Sequence, residues 1–192
     1  MEIIQKKKSN KNKFTFKDET LNFEYSDKTG SGDIDVNYAD IPKKFSILIE
    51  RNEWLRNVGL LWCAIGAVQL GYAILTGSSI EGKGVWLFLG LGCVAWAHFS
   101  TIRYSVFKTP PGTIFVIHDK NHELIVDELY KRRQSQMLNW YGPINPNNEL
   151  AQEIGKYKWL VEEAVLSQIE ADQKIAEAEL MCRESESDER LN

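Results

Sequence analysis

A chain of 192 residues, 43% hydrophobic and 26% charged, has the composition of a folded protein and the length of one domain with a small appendage. A net charge of −4 and a pI near 5.5 give no electrostatic basis for nucleic-acid binding, and three cysteines are too few for a disulfide framework. The mean hydropathy of −0.34 suits a chain in water, yet two stretches near the middle contradict that average.

Residues 1–13 form a basic segment in which KKKSNKNK holds five lysines. It reads as a solvated tail, with Lys6, Lys7 and Lys8 as candidate contacts to anionic lipid headgroups if the chain lies at a membrane. No apolar stretch follows these lysines closely, so no cleavable signal peptide is expected. Within 14–53, Phe14, Phe16, Leu21, Phe23 and Tyr25 alternate with polar residues, and Ile34, Val36 and Tyr38 continue the pattern after the turn KTGSG. Two or three antiparallel strands with one buried face are predicted.

The segment 54–104 changes character. Residues 58–76, VGLLWCAIGAVQLGYAILT, and 85–102, VWLFLGLGCVAWAHFSTI, carry no Asp, Glu, Lys or Arg. A helix over 58–76 would reach roughly 28 Å, close to the thickness of a bilayer's hydrocarbon core. Neither run shows the polar face of a helix on a soluble surface, so a two-helix transmembrane hairpin is predicted. Lys43, Lys44, Arg51 and Arg56 precede it and Arg103 and Lys108 follow it, which places both termini in the cytoplasm. Trp54 and Tyr104 would mark the inner boundary, and Tyr72 and Trp86 the outer one.

Gly59, Cys63, Ala67 and Gly71 recur every fourth residue on the first span, as Cys93 and Ala97 do on the second, and such small residues permit close helix packing. The packing partner is the other span or, alternatively, a second copy of the chain or another membrane protein. Gln69 and His98 are the polar side chains within the spans; they lie at different depths and are not expected to pair.

Residues 105–140 should complete the cytoplasmic part: two strands around the PPG turn, then a helix with Leu124, Ile125, Leu129 and Met137 at helical spacing, capped by Asp119 or Asn121. The strands before and after the hairpin are predicted to share one sheet. Lys131, Arg132 and Arg133 on that helix are further candidates for headgroup or phosphate contact. Pro143 and Pro146 make 141–149 a linker. Residues 150–182 then read as a short helical hairpin whose second helix starts at Ser167, with Glu170 completing a capping box, and 183–192 as an acidic tail.

The segment WLVEEAVLSQIEADQKIAEAEL resembles the bacterial short C-terminal domain, SHOCT, at Leu160, Val165, Leu166, Ser167, Glu170, Lys174 and Leu180. It departs from that pattern at Ala164, where the family usually has a glycine, and at Ala171, where it usually has a large aromatic. The resemblance implies a bacterial inner-membrane protein with a role in protein contacts or oligomerisation, and no chemistry. In the order of its elements, the split cytoplasmic part resembles a pleckstrin-homology-like domain.

No serine-nucleophile, phosphate-loop, zinc-protease or dinucleotide motif occurs. His118 and His122 are four apart but lack a third soluble ligand, and they read as surface histidines; no metal and no cofactor are expected. The sequence therefore predicts a non-enzymatic, multi-pass inner-membrane protein of membrane α+β class. Its expected partners are the lipid bilayer, an unidentified membrane or cytoplasmic protein, or a second copy, with no nucleic acid. The alternatives are a membrane-embedded immunity protein against a membrane-acting or periplasmic toxin, and a lipid or transport accessory protein.

Overall fold

The computed structural model describes residues 1–191, with side chains as far as Arg183. It is a mixed α+β structure with two antiparallel sheets and five helices. The chain divides into two units, Met1–Ser46 with Val106–Asn192, and Ile47–Ser105. The second unit is thus an insertion between the two halves of the first.

In the first unit, β1 (Glu2–Lys7), β2 (Asn10–Phe16), β3 (Thr20–Ser26) and β4 (Ser31–Asn37) form an antiparallel meander. The register sets Phe14 opposite Phe23 and Leu21 opposite Val36, so the alternation read in the sequence puts these side chains on one face. That face packs with Phe107, Ile114 and Val116 and with Ile125, Val126 and Leu129 of α3 (His122–Tyr141) in one core. Each such side chain contributes about 1.5–3 kcal/mol by leaving water.

The expected basic tail is instead β1 and most of β2. Ile3, Gln5 and Asn12 are its inward-facing residues, and two of the three are amides, which conceal the alternation. The Gln5 side chain donates to Ile117 O (2.7 Å) and accepts from Ile117 N (2.8 Å), while Asn12 donates to Phe115 O (2.6 Å). A buried amide bonded in this way replaces its lost water contacts, so a polar inward position is tolerated.

The single shared sheet is also replaced, by two. The second sheet has the order β5 (Ser46–Glu50), β6 (Ile102–Thr109), β7 (Gly112–Ile117). β5 went unread in the sequence because SILI does not alternate. Asn121 precedes α3 but makes no side-chain cap bond; Asp119 Oδ1 instead accepts from Asn121 N at 2.8 Å.

Linker 141–149 leads to α4 (Leu150–Glu162) and α5 (Gln168–Leu191). Met137 of α3 joins Tyr157, Leu160, Val165 and Ala171 in a second small core. Between the helices Ala164 adopts φ 56°, the left-handed conformation that glycine takes most easily, and Val165 N bonds back to Leu160 O at 2.9 Å. Ser167 and Glu170 form the reciprocal capping box, Ser167 N to Glu170 Oε2 (2.8 Å) and Glu170 N to Ser167 Oγ (3.3 Å). The backbone of α5 continues to Leu191; beyond Arg183, the side chains of the expected acidic tail lie outside the described residues.

The inserted unit holds most of β5, the first half of β6, and helices α1 (Glu53–Thr76) and α2 (Val85–Phe99). Asn52 caps α1 by accepting from Leu55 N at 3.0 Å, and Gly77 ends it with φ 64°.

Candidate functional site: the α1–α2 hairpin

Two antiparallel helices that expose large apolar side chains need either a partner or a non-aqueous medium, which makes this hairpin the candidate site. α1 has 24 residues, about 36 Å at 1.5 Å per residue. α2 has 15 residues, about 22 Å, shorter than the run to residue 102 expected from the sequence. The difference lies in Ser100 and Thr101, whose hydroxyls both donate to Ala97 O (3.1 and 3.2 Å) and compete with the helical pattern, after which Ile102 opens β6. Of the described helices, α1 alone is long and apolar enough to cross a membrane.

Glycines set the approach of the two helices. A Cβ on Gly59 would lie 2.9 Å from Cys93 Cβ and from Gly90 O, and one on Gly90 would lie 2.6 Å from Cys63 N and Sγ. At Gly66 it would run into the Leu87 backbone. Gly59, Gly66 and Ala73 are buried on α1, and Gly90 and Ala97 on α2. Trp62 and Trp86 meet edge to face across the pair, ring centroids 5.6 Å apart.

Of the small residues singled out in the sequence, Gly59, Cys63, Cys93 and Ala97 are on or beside this contact. Ala67 is exposed, and nothing lies within 4 Å of a Cβ built at Gly71. Helix geometry accounts for the difference. Residues four apart turn about 40° further around a helix of 3.6 residues per turn, so a strict fourfold repeat has swung about 120° by Gly71. The contact instead follows Gly59, Cys63, Gly66 and Ala73, spaced 4, 3 and 7, the pattern of two helices that wrap round each other. A heptad reading of the same run would have found Gly66 and Ala73.

The outward surfaces are the reverse of a soluble helix pair. Leu75 is 87% exposed, Phe88 75% and Val68 72%, and Leu60, Leu61, Tyr72, Ile74, Leu91, Trp96 and Phe99 are exposed with them. Gln69 and His98 also face outward, His98 against the Phe99 ring at 5.8 Å. The Thr76 hydroxyl donates to Tyr72 O at 2.8 Å, covering a carbonyl near the end of α1.

The lysines and arginines proposed for headgroup contact separate. Lys6, Lys7 and Lys8 lie at the β1–β2 turn, where Lys6 is directly opposite Lys11. Arg133 is 5% exposed and donates to Ile41 O (2.6 Å) and to the Glu163 carboxylate (2.5 Å). Arg132 is committed to Glu128 and to Lys17 O, both at 2.6 Å. Lys131 lines an open cleft of about 550 Å³, but Asp18, Glu19 and Glu128 line it as well, a poor setting for an anion. His122 is buried rather than on the surface, with the His118 ring tilted against it at 4.0 Å between centroids, Phe45 edge-on at 6.4 Å, and its Nδ1 2.9 Å from the Glu123 carboxylate. Among the described residues, no group of three His, Cys, Asp or Glu side chains is placed to hold a metal.

Comparison of the chain with protein-family models, with curated proteins and with solved structures finds no match.

Proposed function

We propose that this chain is a membrane-anchored protein that acts through protein contacts, with the α1–α2 hairpin inserted in a bilayer and the first unit, which includes the α4–α5 pair, outside it. The observation that carries the reading is the inverted burial of the hairpin: glycine and alanine inside, Leu75, Phe88, Val68, Trp96 and Phe99 outside. Small residues between helices and large apolar ones facing outward are what lipid selects, since hydrocarbon offers no hydrophobic incentive to bury leucine. Glu81 and Lys83 at the turn favour full crossing, because both charges then reach water on the far side. The short α2 is accommodated by tilt or by local thinning of the bilayer. Arg51, Arg56 and Arg103 at the opposite end favour that end on the cytoplasmic side, as in a multi-pass bacterial inner-membrane protein.

The contact surface beneath the membrane fits the SHOCT-like helices. Ile169, Leu180 and Met181 of α5 and Trp159 of α4 are exposed apolar side chains on a piece otherwise rich in charge. Alkaline carbonate extraction of membranes from expressing cells tests the anchor. The protein should stay in the pellet, and release into the supernatant would contradict the reading.

A further inference from the structure

The second sheet has two edges, and the chain treats them differently. The β7 edge is closed by side chains, since Gln5 takes both the N–H and the carbonyl of Ile117 and Asn12 takes the carbonyl of Phe115. The β5 edge has no neighbouring strand among the described residues. All five of its residues are exposed, including Ile47 at 61%, Leu48 at 48% and Ile49 at 43%. An open edge of apolar residues without lysine, proline or a bulge is a template for another strand.

We infer that β5 pairs antiparallel with β5 of a second copy of this chain, about a two-fold axis at Leu48. A strand of five residues, Ser46–Glu50, overlaps its own copy completely in one antiparallel register alone. That register sets Leu48 opposite Leu48, Ile47 opposite Ile49 and Ser46 opposite Glu50. Apolar side chains thus meet apolar ones, and each Glu50 faces a serine; moving the register two residues along each strand would oppose Glu50 to Glu50, which is unfavourable. A two-fold, self-complementary patch of this kind closes a dimer and does not propagate.

A separate feature of the same unit also calls for a second copy. Gln69 is exposed midway along α1, with no hydrogen-bond partner among the described residues. A primary amide facing lipid needs a donor and an acceptor, and Gln69 of a second copy supplies both. The inference rests on the membrane reading for its strength, because five paired residues form a smaller interface than most stable dimers use. Confinement of both copies in one bilayer raises their effective concentration enough to compensate.

Full-length protein in native membranes, with Cys63→Ala, Cys93→Ala and Cys182→Ser as background, provides the test. Leu48→Cys should form a disulfide-linked dimer under mild oxidation, because directly opposite residues lie within disulfide reach. Ile47→Cys and Ile49→Cys should each crosslink several-fold less alone, since their copies sit on a diagonal of about 7–8 Å, and should crosslink to one another when co-expressed. Equal crosslinking at all three positions, or none at Leu48, would overturn the pairing. Subunit counting of the unaltered, dye-labelled protein by stepwise photobleaching in lipid bilayers gives a measurement free of substitutions at the interface, in which two copies per particle are expected and single copies at every surface density contradict the inference. Carbonate extraction of the same membranes separates the two readings. Crosslinking at Leu48 in a protein that carbonate releases would sink the anchor and keep the dimer, and the reverse pattern would do the opposite.

Discussion

The first unit and the α1–α2 hairpin obey opposite burial rules. The first unit hides Phe14, Phe23, Leu21, Tyr38 and Leu129 completely and bonds the amides and the arginine that it encloses. The α1–α2 hairpin of the inserted unit hides Gly59, Gly66, Ala73, Gly90 and Ala97 and exposes Leu75, Phe88, Trp96 and Phe99. Side-chain size sorts inward in one and outward in the other. Hydropathy averaged over the chain conceals this difference.

Substitutions that break each rule should have effects of different size and place. The largest is expected at Arg133. Arg133→Met takes away the donor to Ile41 O and to the Glu163 carboxylate, which is partly exposed and keeps Lys43 at 3.8 Å, so about 3 kcal/mol, the low end for breaking a buried pair, is expected. Chemical denaturation of the detergent-solubilised protein, followed by tryptophan fluorescence, should show a lower midpoint. Gly66→Leu breaks the rule of the inserted unit, because its side chain meets the Leu87 backbone; about 1–3 kcal/mol is expected from overpacking, read as lost protease resistance of the hairpin. Leu75→Ala should by contrast have almost no effect on the hairpin's fold, since that side chain touches little of the protein. Gln5→Leu should cost about 1–3 kcal/mol by leaving the Ile117 N–H and carbonyl unpaired. One further effect has the other sign. Ala164→Gly relieves a left-handed backbone and should stabilise the α4–α5 pair by up to about 1 kcal/mol, measured by thermal melting.

Acid should act on the α4–α5 pair. Burial opposes ionisation of Glu153, but hydrogen bonds from Lys156 and Asn148 outweigh it and hold its carboxyl below the usual range. The backbone N–H of Ser167, with its hydroxyl, lowers that of Glu170 in the same way. A carboxyl whose pKa is depressed by folding contributes stability that is complete above the ordinary value near 4.3 and is lost as the pH falls through the folded value. Helical circular dichroism should therefore decline below about pH 4, and Glu153→Gln should flatten part of that decline.

Much of this was legible in the sequence wherever a period was clean. Phe14 to Tyr38 announced β2 to β4, the prolines marked 141–149, and Ser167 with Glu170 announced the start of α5. β1 was hidden because its inward positions include Gln5, and only a long-range bond to Ile117 makes an amide suitable there. β5 was hidden because three consecutive apolar residues have no period. The helix contact was half legible: Gly59, Cys63, Cys93 and Ala97 were found, while a fourfold spacing pointed to Ala67 and Gly71 where the wrapped helices use Gly66 and Ala73. Arg132 and Arg133 looked like a surface charge run because the sequence does not show that Glu128 and Glu163 fold onto them.

The account depends most on the inserted unit crossing a bilayer with its turn on the far side. In a cysteine-free background, Ser79→Cys at the α1–α2 turn and Ser135→Cys on α3 can be probed in intact cells with a membrane-impermeant thiol reagent. The account predicts that the cysteine at 79 is labelled and the one at 135 only after the cells are opened. Labelling at 135 with protection at 79 would contradict the topology, and protection of both in intact cells would contradict the crossing itself.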